Sequence, residues 1–218
     1  ATVKPERQVS AAQRQAILAR ILLPEATACR QPLYLRILYE ESRLWRSYDP
    51  VTPLGRDVVE LLGSLFDRLS LPVWHGPLVE HALSYLASAR FGLTENELLE
   101  VLFADPDYRS VLDTAAEQSR NALPLGAKRI PISLWSRLRY DLAPYLAEHG
   151  APGGTVLELY HRQVGRYVRE RFLDELRHRA LRHQRLGDYF DGLDYYGESL
   201  EQQPARAKRL PATAHSGN

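Results

Sequence analysis

Apolar residues recur at helical spacing through most of this chain, and the spacing predicts a run of amphipathic helices broken by proline and glycine. Ser10 is placed to cap a helix running to about Leu22, with Ile17, Leu18 and Ile21 on one face. Glu25 to Arg30 reads as a short helix in which Cys29 is a small buried hydrophobe. Pro32 opens a stronger helix, PLYLRILYEESRLWRS, because a proline at the first helical position gives up only an N–H that would be unpaired there. Its stripe is Leu33, Tyr34, Ile37, Leu38 and Leu44, with Glu40 and Glu41 expected on the solvated side. Pro50, Pro53 and Gly55 mark a loop over Tyr48 to Gly55. Arg56 to Leu69 repeats the helical pattern through Val58, Leu61, Leu62, Leu65, Phe66 and Leu69, and Leu71-Pro72 ends it at a soft domain boundary.

Gly76-Pro77 starts a helix to about Ala89, and Phe91-Gly92-Leu93 turns the chain. Thr94 with Glu97 is a capping-box pattern ahead of ELLEVLF, and helix, tight glycine turn, helix is the look of a helix-turn-helix unit. Asp105 to Pro131 is weakly patterned, with one short helix expected around Tyr108–Gln118. Ser133 is expected to cap a helix through Trp135, Leu138, Leu142 and Tyr145. The period then shortens to two: Tyr145-Leu146 and Val156 to Leu159 flank a loop over His149–Gly154, which predicts a β-hairpin. Three helices followed by a hairpin is a winged-helix order.

The stretch LELYHRQVGRYVRERF organises this chain. The alternation of Val156, Leu157 and Leu159 meets His161, and Val164, Tyr167, Val168 and Phe172 then fall at helical spacing with Arg162, Arg166 and Arg169 on the outer face. A strand thus delivers a histidine to the first turn of a helix, where unpaired backbone N–H groups favour anions. A further basic helix is expected over about Leu176 to Tyr189, and a short one over 192–202, while Lys208 to Asn218 reads as the start of a further segment.

Composition changes the picture in three ways. With 44% hydrophobic and 25% charged residues in 218, the chain has an ordinary globular make-up. Its net charge of +1 argues against a globally basic nucleic-acid binder, though not against a local basic patch. A single cysteine, Cys29, excludes an internal disulfide and fits a reducing, cytoplasmic setting. No apolar run approaches the length of a membrane span. The chain does not begin with Met and contains none, and it is read as an excised piece of a longer protein.

The chemistry of autonomous catalysis is missing from this sequence. It has no GxxxxGK[ST] phosphate loop, no GxGxxG after a strand and no GxSxG elbow. The seven histidines and one cysteine show no metal-ligand spacing, and His178 and His183, five apart, do not share a helix face well. The fragment is therefore expected to be no enzyme and to hold no metal. A binding role stays open: between Arg162 and Arg185 eight arginines and two histidines stand against Glu170, Asp174 and Glu175, enough to grip a phosphate backbone. Against it, the presumed recognition helix, Leu134 to Leu146, carries only Arg137 and Arg139 and also has Asp141, which is thin for reading a major groove. A helical protein-interaction scaffold is a third reading.

Several of these stretches resemble a known group. CRQPLYLRILYEESRLW looks like the nucleotide-binding-lid segment of STAND-type signalling ATPases, the AAA+-related class that includes NACHT proteins. LSYLASARFGLTENELLEVL, ISLWSRLRYDLAPYL, LELYHRQVGRYVRERF and RHRALRHQRLGDYF follow in the order of the winged-helix region in the subgroup that joins a NACHT ATPase to C-terminal WD or helical repeats. The likeness spans about residues 13–190. It implies a mainly α fold: a helical lid segment over 1–72, a winged-helix domain with one small β-hairpin over 73–173, and C-terminal helices over 174–218 leading into repeats. It further implies that ADP or ATP is bound in the full-length parent and not by this fragment alone. The implied partners are an upstream ATPase core and downstream repeats of the same chain, with a homo-oligomer on activation and no membrane. Two residues inherit roles. Pro32, in CRQPLYL, matches the lid proline that packs against adenine. His161, in LYHRQV, matches the histidine of the MHD-type motif that contacts the β-phosphate of ADP. This chain reads Tyr-His-Arg where the motif reads Met-His-Asp, with Gln163 available to brace the loop in place of the aspartate.

Overall fold

The structure, a computed structural model, describes residues 9–22, 27–51, 53–119, 130–151 and 154–192. It is mainly helical with a small antiparallel sheet. Helix α1 (Ala11–Leu22) starts at a reciprocal cap. Ser10 Oγ accepts from the Gln13 N–H at 3.2 Å, and Gln13 Oε1 accepts from the Ser10 N–H at 2.9 Å. Gln13 is buried and donates to the Arg46 carbonyl at 2.8 Å. That bond makes Gln13, Ile17 and Ile21 the inward row. Leu18, expected on that face, lies to its side and is 48% exposed. A 3-10 turn over Thr27–Arg30 follows, with Cys29 buried and its thiol donating to the Arg56 carbonyl; Glu25 and Ala26, included in the expected short helix, lie outside the described residues.

Helix α2 (Pro32–Ser42) has proline at its start and buries Leu33, Tyr34, Ile37 and Leu38. It ends before Leu44, which is exposed, so the expected stripe is one residue shorter. Glu40 and Glu41 do not stand free in solvent as expected. Glu41 accepts two bonds from Arg68, at 2.7 and 3.2 Å, and Glu40 lies between Arg36 and Arg43, so opposite charges cover both carboxylates. Helix α3 (Val58–Leu69) is capped by Asp57, which accepts from the Glu60 N–H at 2.9 Å, and buries all six of its predicted apolar positions.

Helix α4 (Leu78–Ser88) is nearly all buried and sits at the centre. The turn after it needs Gly92: its φ is +73°, and a Cβ there would collide with the Val156 side chain and the Leu157 carbonyl. Strand β1 (Leu93–Thr94) leads into α5 (Glu95–Ala104), whose predicted capping box is present: Thr94 N–H donates to Glu97 at 2.7 Å and Glu97 N–H to Thr94 Oγ1 at 3.3 Å. Helix α6 (Pro106–Ser119) is the one helix expected in the weakly patterned stretch, of which residues 120–129 lie outside the described residues. Helix α7 (Ile132–Leu142) begins earlier than expected. Pro131, not Ser133, is its N-cap, so Ser133 is an exposed residue of the first turn and caps nothing.

Strands β2 (Leu146–Ala151) and β3 (Gly154–Leu159) form the expected hairpin, in register Leu146↔Leu159 and His149↔Val156. The short β1 adds a third strand, pairing Leu93 with Leu157, in the sheet order β1-β3-β2. Helix α8 (Arg162–Phe172) and helix α9 (Leu176–Asp191) complete the described fold, and residues 193–218 lie outside it. One buried cluster runs through these elements from Cys29 to Leu186, with Trp135 fully enclosed.

Candidate functional site

His161 stands where the strand ends and α8 begins. Tyr160, just before it, donates its N–H to the Tyr145 carbonyl at 2.9 Å, which fixes the exit from β3. His161 itself is extended and is the N-cap of α8: its Nδ1 accepts from the Gln163 N–H at 3.1 Å. A neutral imidazole that accepts at Nδ1 carries its proton on Nε2. The cap therefore selects the tautomer with an Nε2–H donor, on a half-buried ring beside the first turn of the helix. The bond from Gln163 comes from its backbone N–H, which any residue but proline would supply, and its exposed side chain does not take the place of the motif's aspartate. Arg162, at the aspartate position of the motif, is also exposed.

Pro32 is exposed at the first turn of α2. Its N-cap, Gln31, makes no side-chain capping bond. Pro32 and His161 thus stand at the N-termini of two helices that both pack on α3. The α3–α8 joint is aromatic and ionic. Phe66 meets Tyr167 and Phe172 with ring centroids 5.7 and 6.3 Å apart, and Arg171 pairs with Asp67 at 2.5 Å.

Half of the basic stretch is taken up from within, while Arg162, Arg166, Arg169 and Arg177 are exposed. Of its eight arginines, Arg171 is held by Asp67, Arg179 donates to the Leu173 carbonyl, and Arg182 and Arg185 both bond Asp105. On α7, Arg139 bridges Glu95 at 2.6 Å and Glu148 at 2.7 Å, while Asp141 pairs with the buried His75 at 2.7 Å. Arg137 is left as the exposed cation of that helix, beside exposed Ile132, Leu134 and Tyr140.

Sequence reasoning missed Asp105. Its carboxylate is fully buried and gathers bonds from His81 at 3.0 Å, Tyr85 Oη at 2.9 Å, Arg182, Arg185, and the N–H groups of Asp107 and Tyr108 at 2.9 and 3.3 Å. Burial alone would raise its pKa, but the bonds from His81 and Tyr85 and the charge of Arg182 outweigh that and hold it well below the usual carboxylate range. The same site pushes the Tyr85 phenol up to about 12, through burial and the Asp105 charge. The Asp-Pro pair is a readable helix start. The arginines that complete the cluster lie 77 and 80 residues further on, beyond any local pattern. Among the described residues no group of histidine, cysteine and carboxylate side chains is arranged to hold a metal ion, and no helix is long and apolar enough to cross a membrane.

Similarity to known proteins gives the class. The chain is homologous to a segment of NACHT and WD repeat-containing proteins. It is 40% identical over 172 residues to the human NACHT domain- and WD repeat-containing protein 1, and 35% identical over 189 residues to its mouse counterpart, covering 78% and 86% of this chain. It is 31% identical over 167 residues to the human NACHT and WD repeat domain-containing protein 2, covering 76% of this chain. The chain spans only about a tenth of the length of these relatives, 9 to 11%. No family model matches it, and no solved structure does.

Proposed function

We propose that this chain is the lid and winged-helix regulatory part of a cytoplasmic NACHT ATPase of the STAND class, which holds ADP against an upstream ATPase core in the resting state and relays nucleotide exchange to C-terminal repeats. The element order supports a winged helix: α4, β1, α5 and α6, α7, then the hairpin β2–β3, with β3 between its two partners. The exposed face of α7 speaks against the nucleic-acid reading, because its cations other than Arg137 are spent on internal carboxylates. Phosphoryl transfer belongs to the upstream core, since this chain carries no phosphate loop.

The observation that carries the reading is the His161 cap. With Nδ1 occupied by the Gln163 N–H, Nε2–H remains as a donor at a helix N-terminus, which suits a nucleotide phosphate. Pro32 would meet the adenine from the exposed start of α2. ADP binding then favours one of two arrangements, and its loss releases the other.

The test uses a protein that includes the ATPase core. A hydrogen bond to a charged group is worth about 1.5–3 kcal/mol, so His161→Ala weakens ADP by about tenfold to a hundredfold. His161→Ser keeps an N-cap oxygen and removes Nε2, and should weaken ADP to the same extent with the melting temperature held. Either variant retaining a full complement of co-purified ADP and staying inactive refutes the sensor role. Loss of ADP only together with unfolding assigns His161 to structure alone.

A further inference from the structure

Helix α9 is attached in an unusual way. Of its sixteen residues, those buried are Arg182 and Leu186. Leu176 is 78% exposed and Phe190 43%. Tyr189 also packs against the core and Arg182 lies over the Tyr85 ring at 5.0 Å, and the polar attachments are Arg179 to the Leu173 carbonyl at 3.2 and 3.3 Å, Arg182 and Arg185 to Asp105, Arg185 to Asp107 at 3.1 Å, and Tyr189 Oη to Glu100 at 2.7 Å. Helix α8, directly before it, is instead held by Val164, Val168, Tyr167 and Phe172 on the core.

The two sides of this contact differ in what separation does to them. Arg182 and Arg185 would pass into water, where guanidinium groups are well solvated. Asp105 would keep His81, Tyr85 and the N–H groups of Asp107 and Tyr108, so the buried carboxylate is not stranded when the arginines leave. The apolar groups that separation uncovers on α9 are Leu186 and the partly buried Tyr189, fewer than the four that hold α8. Leu173, buried and fixed as the C-cap of α8, and the exposed Asp174 and Glu175 provide the joint about which α9 would swing.

We propose that α9 is a charge-latched arm: docked on Asp105 in one state and released as a unit in the other, with Asp105 as the socket and Arg182 and Arg185 as the catch. The latch stands on these contacts; its use as the relay between nucleotide state and the downstream repeats rests on the ADP-holding function proposed for the parent protein. In that role the arm transmits movement because its docking is ionic and reversible, where an apolar helix contact would hold it fixed.

Hydrogen exchange on the 218-residue chain tests it without nucleotide, so its outcome is independent of the His161 reading. Two variants are compared with the parent: Arg182→Gln with Arg185→Gln, which leaves the Asp105 cap of α6 intact, and Asp105→Asn. The expected result is amide exchange at least about tenfold faster across 176–191, with α4, α5 and α8 unchanged. Unchanged protection of α9 in the double-arginine variant overturns the proposal, because Leu186 and the flanking contacts then suffice. Equal loss of protection in α9, α4 and α5 also overturns it, because the cluster is then ordinary core. If Asp105→Asn does not fold, the arginine variant alone decides.

Discussion

Phe66 of α3 and Tyr167 of α8 meet with ring centroids 5.7 Å apart and planes inclined at 31°. This contact joins α3 to the helix that His161 caps, and α2, which begins at Pro32, packs on the same α3, so the two expected nucleotide residues head helices with a common neighbour. Removing the Phe66 ring should destabilise the chain by about 3–5 kcal/mol, as is usual for a buried aromatic cut to alanine. Urea denaturation of Phe66→Ala measures it, and a change below about 1 kcal/mol would mean the joint is loose.

Trp135 is fully enclosed, with its indole N–H unpartnered. It belongs to the core and is no stacking platform. Trp135→Ala should likewise cost about 3–5 kcal/mol. With Trp45 and Trp74 both changed to Phe, which leaves Trp135 as the one remaining tryptophan, native fluorescence should be inaccessible to iodide, and quenching equal to that of free tryptophan contradicts the structure.

Acid should weaken the fold through Asp105. Its folded-state pKa lies below the ordinary 3.8, so its contribution is complete above that value and is lost as pH falls toward the folded-state value. His81, Tyr85, Arg182 and Arg185 face the carboxylate, with Asp107 close by. The urea midpoint should fall below about pH 4, and the acid limb should flatten in Asp105→Asn. Tyr85 acts at the other end. Its neutral phenol is favoured in the fold, so stability is present below pH 10 and is lost between 10 and about 12. Tyr85→Phe should remove part of that alkaline loss.

Duplex DNA should bind weakly and without sequence preference. Arg137 is the only α7 arginine not taken up by a carboxylate among the described residues, and four of the eight arginines after the wing are bonded internally. Fluorescence anisotropy at physiological salt should show no submicromolar affinity. Tight binding lost in Arg137→Ala would restore the nucleic-acid reading.

Most of the helices were legible because their apolar positions repeat every three or four residues, and the capping box at Thr94 announced α5 without ambiguity. The features that escaped were polar and distant. Glu41 looked solvated because its partner, Arg68, lies on another helix. The α9 arginines looked like a nucleic-acid grip because nothing local pairs them. Strand β1 escaped because two residues carry no alternation. The His161 junction was readable as a strand meeting a helix, whereas the tautomer set by the Gln163 N–H emerges only from the three-dimensional arrangement.

The sheet also dictates an order of assembly. Strands β2 and β3 are neighbours in sequence and can close as a hairpin on the scale of about 1–10 μs. Strand β1 must wait for them, since Leu93 finds Leu157 only after the intervening helices have been brought into a compact arrangement. On the ribosome, β1 emerges early and stays unpaired until Leu157 has cleared the exit tunnel. The capping-box bonds between Thr94 and Glu97 and the positive φ of Gly92 are local, and neither needs the partner strand to form.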